Sequence, residues 1–538
     1  MSLRNRLALP AIILSLTFLA GCGSSSPKAV APPGGGFTYA DLSGTYVFSA
    51  AGADPSNSFI AIAGTFTACG CAQGTISGGT IEANDPSAGV LSPQAVTGGT
   101  YSVGVDGRPA SASGVLTLQT AAGPFVFDFV LTSSQHGLLT LFDPNNGSGS
   151  GTLDLATSVA QTSIDGQSFA FNASGVTTAS GSQAFFGTIG GFTLDANGAI
   201  GISTTGSQDI NDGGISLCSA TTGCQITGGS VNVGTVPGTA TFTSSASTIY
   251  NFHVYPISAT HWKIIETDVS PVTVGDVFTQ STSIPTGNNV FTIAGFDSSA
   301  SGPFVAAGII DTDGSGGIKS DSVEDVNDAG VASEIGSVVG STITGNYTAL
   351  TGGRSLFTFT SNFVNSGLGC ANCEFAAYPS TGGLQLLEVD NAGVTAGVAY
   401  LQGSNPALAS STGYGMNLAG INTVEEDDIA EFVNNAGTFT GLIDFNDAGS
   451  RNFGVKFSGS YAADSTVTGR GTVTPGSNSF HMTTYGIDAT TTVFVETDSN
   501  QVGLGSFESQ GSNTPGAALR QMTVMRLLPS AKKALRKR

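Results

Sequence analysis

Charge is scarce in this 538-residue chain: Asp, Glu, Lys and Arg make up 10% of it, against 40% hydrophobic residues. Disorder needs the opposite balance, so a folded chain is expected. Tryptophan occurs once, at Trp262, and histidine only at His136, His253, His261 and His481. No His-Glu-x-x-His, Gly-x-Ser-x-Gly or Gly-Lys-Ser/Thr stretch occurs, which removes the common signatures of zinc proteases, α/β-hydrolases and phosphate-binding loops. Cations are scarcest of all in the body of the chain. Between residues 40 and 519 stand seven Lys and Arg against all 38 acids, so this body repels nucleic-acid phosphates and no nucleic-acid partner is expected. No long stretch carries helical spacing.

What is abundant is glycine, at 76 positions, and alternation. Stretches such as Thr239-Ala240-Thr241-Phe242-Thr243 and Leu356-Phe357-Thr358-Phe359-Thr360 place apolar residues at every second position. Period two with frequent turn residues predicts an all-β protein, and the length exceeds what one core supports.

Residues 1–22 have the parts of an export signal: Arg4 and Arg6, an apolar run from Leu7 to Ala20, then small residues before Cys22. The run is too short to span a bilayer, which needs about 20 apolar residues. Leu19-Ala20-Gly21-Cys22 resembles the lipobox of bacterial lipoproteins. The resemblance implies removal of residues 1–21, diacylglycerol on Cys22, and an extracytoplasmic protein attached to a membrane through its N-terminal lipid. Gly23, where inner-membrane retention uses Asp, implies the outer membrane in a diderm cell. Residues 22–36, rich in Ser, Pro and Gly, read as a flexible tether. At the other end, Arg520, Arg526, Lys532, Lys533, Arg536, Lys537 and Arg538 form a basic segment, with 529–538 as its tail. It is either solvated or in contact with anionic lipid.

Internal repetition organises the rest. Ile265-Glu266-Thr267-Asp268, Leu387-Glu388-Val389-Asp390 and Val495-Glu496-Thr497-Asp498 are each followed by a glutamine, Gln280, Gln402 or Gln510, 12 residues after the Asp. Leu141-Phe142-Asp143 is a degenerate first copy. A second signature, Glu82-Ala83-Asn84-Asp85, Asp209-Ile210-Asn211-Asp212, Asp325-Val326-Asn327-Asp328 and Asp444-Phe445-Asn446-Asp447, runs in the same order. Four tandem units follow, at 37–160, 161–283, 284–408 and 409–528. Each has about eight short strands in an antiparallel meander. Closed eight-stranded barrels are the leading expectation, with two-sheet sandwiches or a propeller of half-units as alternatives. The architecture resembles lipocalin-type barrels, although the lipocalin Gly-x-Trp is missing.

Two carboxylates two residues apart on a strand, as in Glu388 and Asp390, share a face and fit a glycosidase acid and base or oxygen ligands for Ca²⁺. Their recurrence in three units favours a structural role, such as accepting turn amides. Asp311-Thr312-Asp313-Gly314 looks like a calcium loop, but Ser322 stands where the bidentate Glu belongs, so a hairpin turn is expected there as at Asp195-Ala196-Asn197-Gly198. Asp311, Asp313, Glu388 and Asp390 are thus weak metal candidates, and no cofactor is expected unless Ca²⁺. Three close cysteine pairs, Cys69 with Cys71, Cys218 with Cys224 and Cys370 with Cys373, read as disulfides outside the cytoplasm. His136 and His261 hold equivalent places, read as a turn position.

The leading expectation is a surface-exposed, non-enzymatic binding or structural module of the cell envelope, elongated by its tandem units. The alternatives are a carrier with a small apolar ligand in the barrels, and a carbohydrate-active enzyme using an acidic pair.

Overall fold

The computed structural model describes residues 28–29, 31–33 and 36–511, except 179–182, 202–205, 247, 298–301, 334–342, 362–372, 391–392, 423 and 477–479. Cys22 and the basic segment 520–538 lie outside the described residues, as does Cys370.

The chain forms four closed eight-stranded antiparallel barrels in tandem. The first closes when strand Ser43–Ala53 pairs with Phe59–Cys69 on one side and with Gly147–Leu155, the last strand of the unit, on the other. The second runs from Ser168 to Thr279, the third from Gly287 to Leu401 and the fourth from Thr412 to Ser509, each closed by the same first-to-last pairing. Closure removes the exposed edges that a sandwich or an open sheet would leave.

The interiors are filled. In the fourth barrel Phe432 packs on Phe507, Phe439, Tyr414 and Phe457 at centroid distances of 5.0 to 5.8 Å. Trp262 lies inside the second, 4.3 Å from Phe169. Phe125 and Phe127 fill the first, and Phe357 and Phe359 the third.

A further apolar cluster lies outside the barrels and joins all four. In Phe59-Ile60-Ala61-Ile62-Ala63 the two isoleucines point inward, while Phe59, Ala61 and Ala63 face a neighbouring barrel. Strand Gly302–Thr312 is buried along its whole length for the same reason. Small residues on the outer face let the barrels approach closely. The expected elongated array is therefore corrected: the first barrel touches the second, the second the third, the third the fourth, and the fourth returns to the first through Val130, Leu138 and Ile429. The four units make a closed ring.

Candidate functional site

Both repeated signatures are seam devices. On the Asp-x-Asn-Asp strand, alternation sends the first Asp and the Asn outward to the next barrel and the last Asp into the lumen. Asn84 Nδ2 donates to the carbonyls of Glu266 and Asp268 at 2.9 and 2.8 Å. Asn211 does the same to Glu388 and Gly393, Asn327 to Glu496 and Gln501, and Asn446 to Leu141 and Gly147. The conserved-spacing glutamines reach the same neighbours: Gln280 donates to Gly352 O, Gln402 to Gly486 O and Gln510 to Asp106 O.

The outward acid takes a buried partner from the next barrel. Arg354 grips Asp209 through Nε and Nη2 at 2.7 and 2.8 Å, with the Tyr378 hydroxyl at 2.9 Å. Arg470 grips Asp325 at 2.7 and 2.9 Å, joined by Tyr485. Arg108 reaches Asp444 at 3.0 Å, and Glu82 instead accepts from Tyr255 and pairs with His253. Each arginine follows a glycine, at 107–108, 353–354 and 469–470, a sequence signal outside both repeated signatures.

His136 and His261 are corrected from turn residues to members of a buried ionic chain. Glu508 of the fourth barrel lies 3.0 Å from His136 Nε2, whose Nδ1 is 2.6 Å from Asp154. Asp154 lies 3.3 Å from Lys263, Lys263 is 3.9 Å from Asp276, and Asp276 is 2.8 Å from His261. Burial opposes charge on His136, but Glu508 and Asp154 outweigh it and push its pKa up to about 10. Burial likewise works against the Asp154 carboxylate, yet Lys263 and His136 hold it well below the usual carboxylate range. The chain spans three barrels, and Lys263 at its centre is fully buried.

The acidic pairs cap one end of the lumen in the second, third and fourth barrels. Asp268, Asp390 and Asp498 accept main-chain amides, from Asn251 at 3.2 Å, Glu374 at 2.8 Å and His481 at 2.9 Å. The amides of Asn251 and Glu374 belong to the neighbouring strand, and that of His481 directly precedes it. Glu266, Glu388 and Glu496 are almost fully buried, and burial, reinforced by the paired Asp, raises their pKa well above normal. The same burial disfavours their charged forms. In the fourth barrel Glu426, Asp428, Asp447 and Glu496 converge; burial and Asp447 push Glu426 up to about 7. The run Glu425-Glu426-Asp427-Asp428 is the sequence signal for this cluster. Asp427 points the other way, to Ser148 of the first barrel at 2.7 Å.

The remaining candidates have local partners. Asp311 is bound by Lys319 Nζ at 2.8 Å, and Asp313 accepts the amides of Ser315 and Gly317 as a hairpin turn. No group of three or more His, Cys, Asp or Glu among the described residues is arranged to hold a metal ion. Cys69–Cys71 and Cys218–Cys224 are disulfides, and Cys373 is disulfide-bonded. A cleft of about 840 Å³ opens where the second barrel meets the third, beside Ser207, Thr222, Gln225 and Thr351. None of the described residues that line it is titratable. No family model matches the chain, and no curated protein matches it.

Proposed function

We propose that the chain is a lipid-tethered, surface-exposed protein of the cell envelope whose ring of barrels is a non-enzymatic binding or structural module. The observation that carries this reading is the placement of the buried ions. Asp209, Asp325 and Asp444 with their arginines, and the chain from Glu508 to His261, all lie where barrels meet. Ionisable groups spent on cohesion do not converge on a substrate. The aromatic interiors support a rigid scaffold over a carrier of small ligands, since filled small barrels leave no room for a guest.

The lipid on Cys22 and the exposed location are tested in cells. Labelled palmitate is expected in the full chain and not in Cys22→Ser, and protease added to intact cells is expected to degrade the protein. Absence of label, or full protection, refutes the tethered surface reading. Turnover of chromogenic glycosides that disappears in Glu388→Gln would replace it with the enzyme reading.

A further inference from the structure

Two of the disulfides have both cysteines described, and they stand in opposite surroundings. Cys218 and Cys224 are buried, 8% and 6% exposed, and lie six residues apart. Cys69 and Cys71 lie two residues apart at the end of strand Phe59–Cys69, where Cys69 is exposed and Cys71 half-buried. A loop this short adds little to the stability of the fold, because that contribution grows with the number of residues enclosed, and by linkage the fold then does little to protect the bond. Exposure also opens the sulfurs to an outside thiolate.

The groups around the loop favour one sulfur as the better place for negative charge. The amides of Cys71 and Thr75 donate to Cys69 Sγ at 3.1 and 3.3 Å. For Cys71 Sγ the described partner is the Thr75 hydroxyl, at 3.8 Å. The Tyr101 hydroxyl accepts the amide of Gly70 at 2.9 Å and donates to Leu42 O at 2.9 Å, which ties the loop to the barrel 3.8 Å from Cys69 Sγ. Gly70 has φ +64°, and a Cβ there would meet Ser43 Oγ at 2.5 Å, so the residue between the cysteines has to be glycine. Two amides held on a sulfur in this way stabilise its thiolate.

We propose that Cys69–Cys71 is a thiol-exchange site that oxidises an accessible dithiol, one dithiol for each protein. One thiol of the dithiol loses its proton to water and attacks Cys71 Sγ. The S–S bond breaks, its electron pair departs with Cys69 as a thiolate held by the amides of Cys71 and Thr75, and a mixed disulfide forms at Cys71. The second thiol then loses its proton and attacks the partner's own sulfur in that mixed disulfide, so that Cys71 leaves as a thiolate. Both cysteines are reduced by two electrons, the dithiol departs as a disulfide, and the protons it released balance those taken up as the cysteines become thiols. The substrate class is a dithiol because Cys69, two residues from the mixed disulfide, reverses the first attack unless a tethered second thiol stands equally near. This activity belongs to the first barrel and does not depend on the lipid at Cys22.

The test uses the full chain as Cys22→Ser. The folded protein is equilibrated with mixtures of reduced and oxidised dithiothreitol, its free thiols are trapped by alkylation, and each cysteine pair is read by peptide mass spectrometry. Half-reduction of Cys69–Cys71 is expected at a ratio of reduced to oxidised dithiothreitol at least about tenfold lower than that of Cys218–Cys224. Reduction of both pairs at one ratio, or of the buried pair first, overturns the proposal. The choice of leaving sulfur is read from single variants in the same background. Alkylation by iodoacetamide slows from pH 9 to pH 6 as thiolate is lost, and this slowing is expected to be at least about fivefold smaller for Cys69 in Cys71→Ser than for Cys71 in Cys69→Ser. Equal slowing in the two variants overturns the assignment of Cys69 as the leaving sulfur.

Discussion

Asp444 of the fourth barrel pairs with Arg108 of the first at 3.0 Å, beside Asp128, whose pKa is raised by burial and then by Asp444. The second and third seams bring a tyrosine hydroxyl to the equivalent acid, Tyr378 to Asp209 and Tyr485 to Asp325. The closing seam brings a second carboxyl instead, and Glu431 and Asp106 stand close to the same arginine. A buried carboxyl beside another carboxyl is harder to ionise.

The closing seam is therefore predicted to weaken as pH rises. Burial, then Asp444, raises Asp128 well above the ordinary value, and burial with Asp106 pushes Glu431 up to about 8. The native seam holds protons that the unfolded chain has released above about pH 4, so its stabilisation is complete below that pH and is lost through the native pKa values. Amides of 128–131 and 427–431 are expected to exchange faster at pH 9 than at pH 6, after correction for intrinsic rates, while those of 325–328 change little. Asp128→Asn should flatten this dependence. A seam equally protected at both pH values contradicts the assignment.

Removing one partner of a buried ion pair strands the other. Arg354→Met is expected to cost about 3–5 kcal/mol, because Asp209 then loses both guanidinium donors and keeps the Tyr378 hydroxyl. Adding Asp209→Asn should recover much of the loss. Denaturant melts of the two single variants and the double variant measure the coupling, and additive effects would mean that the pair does not hold the seam.

Asn327 makes more bonds than Asn84. Both donate to carbonyls of the next barrel, but Asn327 Oδ1 also accepts the amide of Gly330 at 3.0 Å, whereas Asn84 Oδ1 has no hydrogen-bond partner among the described residues. Asn327→Ala is expected to destabilise by about 2–3 kcal/mol and Asn84→Ala by less, from the cost of buried groups left unpaired. Thermal unfolding of both variants gives the order, and a reversed order refutes it.

Phe432→Ala should open a dry cavity in the fourth barrel at a cost of about 3–5 kcal/mol. Benzene or xenon is then expected to bind the variant and not the parent protein, as apolar cavities do. Binding by the parent chain would show that the interior was never full.

The barrels were legible because their signals are local. Alternation in Leu356–Thr360 shows within one strand, and the 12-residue step from Asp390 to Gln402 shows when one unit is set beside the next. Choosing a barrel over a sandwich or propeller needed the pairing of Ser43–Ala53 with Gly147–Leu155, which no local pattern encodes. The ring was not legible, because its bonds join residues as far apart as Asp106 and Gln510. Two traces were present nonetheless: strands such as Gly302–Thr312 with no polar face, and the Gly-Arg dipeptides. The spacing of the acidic pairs placed Glu and Asp on one face, but the raised pKa of each Glu follows from burial, and burial is a property of the closed lumen rather than of spacing.

Every seam joins unlike sides, an Asp-x-Asn-Asp flank to the Arg, Tyr or His flank of the following barrel. Such a joint has polarity, and only a circle leaves no flank without its mate. A chain cut between Ser281 and Gly287 would yield two half-circles, each with one unmatched flank of either kind. The two halves would have to find each other to become whole, and a half kept alone would seek copies of itself.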